Sequence, residues 1–408
     1  MIWIVAWKNI WRNKMRSLVV VMAIAFGLLG GIFSSAVFKG TSDQRVREAV
    51  SRETSHIQIH NKEYTEDNEV QYVIDGDRER LEEVLDTIKA IGAWSARVKF
   101  MAMAGSANAG TGVMVTGMDT EKEKQVTEIY SLIKDTCGSW FSQCKGIPVV
   151  VGQALAKKLK VRLHSKIVLT FQDMQGNLTG GAFRICGIYR TSNSVFDEMN
   201  IYVNRDDIIP LLTAKPGTCH EIAIRMNEDE KIAAVQKTLK DLFPALIVKN
   251  WKEIDQLTGM MNDIMDLYLY IFMGIILLAL GFGIVNTMLM AILERTRELG
   301  MLAAIGMNKR KIFFLIMLES VFLSLTGGII GIIMGILLTL YTRHTGINLG
   351  SFAEGFEKIG YNPMLYPSLD IIFFINLTLM VIVTGILASI YPARRALKLR
   401  PAEAIRNE

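Results

Sequence analysis

Long apolar runs separated by charged stretches dominate the chain. Four of them reach the ~18 residues that let a helix cross a bilayer: Leu18 to Phe38, Leu267 to Leu293, Ile312 to Tyr341 and Ile371 to Tyr391. Between the first and second lies Lys39 to Asp266, where short alternating and three-four patterns replace the runs. The pattern predicts an α-helical membrane protein with four transmembrane helices and one large, mixed α/β domain inserted after the first. No small-residue cleavage site follows the first run, which is longer than a signal-peptide core, so it is expected to be retained.

Finer patterns fill in the connecting pieces. Residues 1–17 place Trp3, Trp7, Ile10 and Trp11 at helical spacing against Lys8, Arg12, Lys14 and Arg16, the signature of an interfacial elbow helix. Thr41 to Arg52 and Trp251 to Asp266 read as outward extensions of the first two spans, side by side as a stalk. In the inserted segment His56 to His60 alternates, which puts both histidines and Gln58 on one, solvated strand face. Asp77 to Ile91 and Glu230 to Leu242 read as helices, and Val98 to Met103, Gly112 to Thr116 and Leu246 to Lys249 as strands. Pro148 to Leu159 reads as strand, glycine turn and helix; Ile167 to Phe171 and Phe183 to Tyr189 flank a turn at Gly176-Asn177. Strands interrupted by helices and insertions divide this domain into two lobes, with about Gly146 to Leu212 inserted between the halves of the other.

Charge orients the spans. Lys and Arg number four in residues 1–17, five in 294–311 and five in 392–408, against two in 342–370. The positive-inside rule then places both termini and 294–311 in the cytoplasm, and 39–266 and the loop 342–370 outside. The outer segment holds 29 basic and 32 acidic residues, so the chain's net charge of +5 faces anionic headgroups and is no nucleic-acid footprint. All four cysteines, Cys137, Cys144, Cys186 and Cys219, fall in this outer segment, where disulfides are permitted. Cys137 and Cys144 are close enough for a small loop bridge, one of the three connectivities that four cysteines allow. No Cys/His spacing points to a metal, and no nucleophile-base pair or paired carboxylate points to catalysis.

Candidate functional residues lie in and beside the spans. Gly27 and Gly31 in the first, and Gly327, Gly331 and Gly335 in the third, recur every four residues, a spacing that lets helices approach closely within or between subunits. Glu319 sits about two turns inside the third span, where a carboxylate requires a partner or a role. Leu289 to Gly306 ends an apolar run, turns sharply charged at Glu294, Arg295, Arg297 and Glu298, and relaxes into small residues. On one helix Glu294 faces Arg297 and Arg295 faces Glu298, so the turn either satisfies itself or presents its charges to a soluble partner. After the fourth span, Tyr391 to Arg406 reads as a short basic helix stopped by Pro401.

Gly283-Ile284-Val285-Asn286-Thr287-Met288, leading into Glu294-Arg295-Thr296-Arg297-Glu298-Leu299-Gly300 and Ala304-Ile305-Gly306, resembles the signature of permeases of the MacB, LolC/LolE and FtsX superfamily of ABC transporters. Pro392-Ala393-Arg394-Arg395-Ala396 with Pro401 and Glu403-Ala404 resembles their C-terminal motif, and Trp7 to Arg16 their elbow. Glu319 with Gly327, Gly328 and Gly331 is similar to their third span. Gly152, Leu155-Ala156, Leu159, Gly187-Ile188-Tyr189, Asp197 and Tyr202-Val203 resemble their insertion lobe, with His164-Ser165 where many relatives have Gly-Asp.

The resemblance implies a MacB-like periplasmic domain on a multi-pass protein of the bacterial cytoplasmic (inner) membrane, closest in layout to LolC/LolE. It implies a homo- or heterodimer with a second permease subunit, a pair of ABC ATPase subunits, and a periplasmic carrier or accessory protein. ATP-driven closure would move the outer domain mechanically. Glu294, Arg295, Arg297, Glu298, Gly300 and Gly306 would couple to the ATPase, with Pro392, Arg394, Arg395, Pro401 and Glu403 as tail contacts. The sequence has no Gly-x-x-x-x-Gly-Lys-Ser/Thr loop, so no cofactor is expected on it, and ATP and Mg are expected on a separate ATPase. The implied activity is release or export of lipoproteins or other amphiphiles; the alternatives are FtsX-like signalling to an extracellular cell-wall hydrolase and MacB-like efflux or peptide export. The 228 residues of the outer segment favour transport.

Overall fold

Each long apolar run lies inside a helix longer than itself, because in lipid every backbone N–H and C=O must be satisfied within its own segment. The structure, a computed structural model, describes residues 2–12, 14–64, 69–74, 78–142, 144, 146–369 and 371–397. Apart from short turns, its helices are α1 (Ile2–Arg12), α2 (Lys14–Glu48), α3 (Arg78–Thr87), α4 (Thr120–Val126), α5 (Gln153–Lys158), α6 (Ser194–Met199), α7 (Ile232–Leu242), α8 (Gln256–Glu294), α9 (Thr296–Ala304), α10 (Lys309–Thr345), α11 (Ala353–Lys358) and α12 (Ile371–Leu397). The chain forms a membrane unit, residues 1–42, 263–347 and 365–408, and an α/β unit, residues 43–262 and 348–364.

In the membrane unit α2, α8, α10 and α12 are long and apolar enough to cross a bilayer. The glycine stripe of α10 faces α2. A Cβ on Gly327 would come within 2.8 Å of Ile24 Cβ, and one on Gly331 within 2.8 Å of the Ala25 carbonyl oxygen. Gly335 sits against Ile32 in the same way, so this stripe serves a contact within the subunit. Gly27 and Gly31 turn instead to α8, where Leu280, Ile276 and Met273 occupy the space beside them. Helix α2 is thereby central, its buried row of Val20, Ile24, Leu28 and Ile32 shared with both neighbours. Across the bundle, Asn376 of α12 donates to the Tyr270 hydroxyl of α8 at 2.7 Å. Lys39 and Asp266 pair at 3.1 Å between α2 and α8. Helix α1 packs on α10, with Trp3 and Trp7 edge-on to Phe322 at 5.9 and 5.7 Å.

The α/β unit is built on strands β1 (Ile57–Asn61), β2 (Ile91–Gly105), β3 (Gly110–Met118), β4 (Ile133–Gly138), β5 (Ile147–Gly152), β6 (Lys166–Gln172), β7 (Leu178–Tyr189), β8 (Asn200–Asn204), β9 (Glu221–Met226) and β10 (Leu246–Asn250). They form one sheet in the order β10-β1-β9-β2-β3-β8-β5-β7-β4, with β6 pairing β2 and β7. The pairs β3–β8 and β5–β7 are parallel, so the sheet is mixed. Two cores share it. One joins Ile57, Ile59, Ile222 and Ile224 to Leu81 and Leu85 of α3 and Leu239 of α7. The other gathers Phe100, Val113, Val149, Val151, Phe183 and Ile201. Strand β2 is 15 residues long and serves both. The second lobe therefore starts within β2, well before the expected Gly146.

Two further expectations about the α/β unit are corrected. The face of Gln58 and His60 is buried rather than solvated, because the Tyr64 ring stacks on His60 with centroids 5.6 Å apart and Gln58 Nε2 donates to the Thr54 carbonyl at 2.6 Å. Burial pushes the His60 imidazole down to about 4, and its Nε2 lies 3.0 Å from Gln58 Oε1. The disulfide joins Cys144 to Cys186, with Cα atoms 5.8 Å apart, rather than Cys137 to Cys144. Strand register decides this: Gly138 of β4 lies opposite Gly187 of β7, and Ser139 N donates to the Cys186 carbonyl at 3.0 Å. The chain after β4 thus returns over Cys186, while Cys137 stays in β4 outside any disulfide.

Candidate functional site

The charged stretch between the second and third spans folds as a joint. Helix α8 stops at Glu294 and α9 begins at Thr296, whose hydroxyl donates back to the Ile292 and Leu293 carbonyls at 3.2 and 2.5 Å. Such back-bonding bends helices. Helix α9 ends before Gly306, which takes φ +93° and lets Met307 N donate to the Leu302 carbonyl at 3.0 Å, a glycine-terminated C-cap. The Asn308 side chain then accepts from Arg310 N at 3.0 Å and caps α10.

The bend changes who pairs with whom. Arg295 Nη2 donates to the Asn9 carbonyl at 3.1 Å, and its Nη1 lies 3.6 Å from Glu319 Oε2. Asn9 Nδ2 donates to Glu319 Oε1 at 2.6 Å. Glu298 accepts from Arg12 Nη2 on both oxygens, at 2.7 and 2.5 Å. Arg295 and Glu298 therefore pair with α10 and α1 instead of with each other, because the three-residue spacing works only along an unbroken helix. The two pairs differ in weight. Arg12 and Glu298 are 48% and 47% exposed, where an ion pair contributes little, whereas Arg295 and Glu319 are 14% and 12% exposed.

Arg297, Met301 and Ile305 of this stretch face away from the bundle, Ile305 being 86% exposed, while Gly300 is buried. Glu294 is exposed at the end of α8. Beyond the fourth span, α12 runs through a buried Pro392 to Leu397, so no separate tail helix starts at Tyr391. Arg394 and Arg395 are exposed on its last turn; Pro401 and Glu403 lie outside the described residues. Sequence reasoning missed Asn9 and took Arg12 only as a headgroup-facing charge. An asparagine beside Ile10 in a tryptophan-rich helix was the available signal.

In the α/β unit the motif residues form a tight corner. Gly152 abuts the Asp197 backbone, leaving no space for a Cβ. The buried Asp197 carboxyl accepts from Thr191 N at 3.1 Å and from its hydroxyl at 2.7 Å. His164 takes φ +64°, the left-handed position that glycine adopts more easily. Burial pushes the Asp197 carboxyl up to about 7, against the Thr191 hydrogen bonds that lower it. A raised carboxyl makes the folded state the stronger proton binder, so this group's contribution to stability falls as pH rises from about 4 to about 7. Asp197→Asn is expected to flatten that decline, read as a smaller drop in Tm between about pH 5 and about pH 8; an unchanged drop would show that Asp197 does not titrate there.

Four bilayer-length helices among the described residues, one α/β insertion after the first and a charged joint between the second and third define a multi-pass membrane protein. The MacB-like periplasmic core domain matches residues 17–242 and the FtsX-like permease C-terminal domain matches residues 270–401, so the chain belongs to the MacB, LolC/LolE and FtsX family of ABC transporter permeases. An uncharacterized ABC transporter permease of Methanocaldococcus jannaschii is 28% identical over 66% of this chain and 65% of its own length. The macrolide export ATP-binding/permease protein MacB of Chlorobium luteolum is 25% identical over 99% of this chain and 59% of its own. The lipoprotein-releasing system transmembrane protein LolE of Haemophilus influenzae is 24% identical, covering 80% of each. The chain spans slightly less than two thirds of the first two of these relatives.

Proposed function

We propose that this chain is the membrane subunit of an ATP-driven transporter of the bacterial cytoplasmic membrane, in which α9 receives the motion of an ATPase subunit. One observation carries the reading: the start of α9 is wired to α1 and α10 through Arg12–Glu298 and Asn9–Glu319–Arg295, while Arg297, Met301 and Ile305 are left open to a partner. The basic residues of 1–17, 294–311 and 392–408 support a cytoplasmic position for this joint and both termini. ATP and Mg belong to the ATPase partner, and a second permease subunit completes a dimer. Helices α2 and α8 continue without a break past the residues where the two units part, which gives movement at the joint a covalent route into the α/β unit.

The cargo in this reading is a lipoprotein or another amphiphile, in line with relatives named for lipoprotein release and for macrolide export. Co-purification of the chain with its ATPase, followed by mass spectrometry of what travels with them, tests it. Lipidated or amphiphilic cargo is the expected result; a cell-wall hydrolase with no such cargo would replace transport by signalling. Replacing Arg297 and Glu298 together by alanine is expected to uncouple export from ATP hydrolysis with membrane insertion intact. Unchanged export in that double variant would remove the coupling role of α9.

A further inference from the structure

One face of the sheet in the α/β unit is unusually bare. Met103 of β2 lies between Gly112 of β3 and Thr170 of β6, and Thr170 lies opposite Gly180 of β7. One step along, Gly105 lies between Gly110 and Val168, and Val168 lies opposite Ala182. Successive residues alternate faces, so these small residues share one side while Phe100, Ala102, Val113 and Leu169 fill the core on the other. Gly112 has no atom within 4 Å of where a Cβ would stand. Around this floor rise Met101, Met103 and Leu178, which are 48%, 55% and 77% exposed.

The β6–β7 turn at Asp173 to Gly176 and the segment Glu69 to Gln71 close the face into a cleft of about 640 Å³. That volume falls in the range of small-molecule sites, about 300–1,000 Å³. Two carboxylates line it, Glu69 and Asp173, and no Lys or Arg does among the described residues. Neutral groups hold both: Gln71 Nε2 donates to Glu69 at 2.5 Å, and the Gln175 and Asn177 backbone amides donate to Asp173 at 2.8 and 2.9 Å. Their negative charge is thus fixed in place without a cation beside it among the described residues.

We propose that this cleft binds a small amphiphile carrying a cationic group, its apolar body on Met101, Met103 and Leu178 and its charge toward Glu69 and Asp173. Exposed apolar surface around a concavity marks a binding site, and methionine adapts to varied shapes. The carboxylates discriminate by sign, attracting cations and repelling anionic amphiphiles. The site uses none of the joint's residues and does not rest on the export reading, since a chain that exports nothing can still bind.

Equilibrium binding to the full chain in lipid nanodiscs tests it, with empty nanodiscs as the blank. The probes are rhodamine 6G, a lipophilic cation, and the anionic 8-anilinonaphthalene-1-sulfonate. Saturable binding of rhodamine 6G is expected, with the anionic probe at least about tenfold weaker. Met103→Lys and Glu69→Lys, both at solvent-facing positions, are each expected to weaken rhodamine 6G about tenfold or more with the unfolding temperature unchanged. Arg297→Ala at the joint leaves binding intact, which separates failure of this site from failure of the transport reading. Binding no greater than to empty nanodiscs, equal binding of the two probes, or native affinity in both lysine variants would overturn the proposal.

Discussion

Arg295→Met is expected to reduce ATP-driven export by the reconstituted transporter at least about tenfold, the largest functional effect of any single change at the joint. The reason is the position of Glu319, inside a span and 12% exposed, with Asn9 and Arg295 as its partners across helices. Removing the guanidinium leaves a buried carboxylate with one neutral donor, and breaking such a pair costs about 3–5 kcal/mol, with the 3.6 Å separation placing this pair at the low end. Glu319→Gln is expected to be milder, because its amide oxygen still accepts from Asn9 and Arg295 keeps the Asn9 carbonyl. The informative variant is Arg295→Met with Glu319→Leu, which buries no charge. Its thermal stability should return toward native, since apolar groups of similar volume replace a buried ion pair at little cost. Export should stay low, because the link from α9 to α10 is gone. Export restored together with stability would reduce the pair to a structural contact.

What was legible in the residues follows from how local the governing constraint is. The spans were readable because the bilayer imposes length and composition on each helix separately. The glycine stripe could be seen, but whether Gly327, Gly331 and Gly335 meet a helix of this subunit or of another could not, as that depends on which helix α10 faces. The pairing of Arg295 was misread for the same reason: its Asn9 partner lies 286 positions away, and only the bend at Thr296 removes the local alternative. In the α/β unit, alternation marked β1 as a strand without telling what covers each of its faces. The Tyr64 ring stacked on His60 and the Thr54 carbonyl that accepts from Gln58 turned these two residues from solvated to buried. Nearness in sequence pointed Cys144 at Cys137, whereas the register of β4 on β7 gave it Cys186. Asn9 is the plainest omission, since a single polar residue in an interfacial helix carries no periodic signal.

The buried charges of β2 and β9 would have been invisible to any such pattern, and they give the largest expected effect on stability. Arg97→Met is expected to destabilise the α/β unit by about 3–5 kcal/mol. Arg97 is 4% exposed and spans two fully buried carboxylates, pairing with Glu123 at 2.5 Å and with Glu221 at 2.6 Å. Burial alone would raise the Glu221 carboxyl, but Lys99 and Arg97 overcome it and hold the group well below the usual range. Without Arg97, Glu221 keeps Lys99 at 2.9 Å, whereas Glu123 loses the partner on which both its oxygens bond. Lys99→Met should cost less, because Arg97 still serves both carboxylates. The sign of the pH dependence separates this account from simple loss of packing. A depressed carboxyl contributes stability above its unfolded pKa and loses it as pH falls from there toward its lowered folded pKa; removing Arg97 weakens that contribution, so the gap between variant and native should narrow as pH falls below about 4. Hydrogen exchange of β2 and β9 in the nanodisc-embedded chain measures the gap at each pH. A deficit that stays constant as pH falls from about 5 to about 2 would mean that Arg97→Met acts through packing and that the buried charges are not its cause.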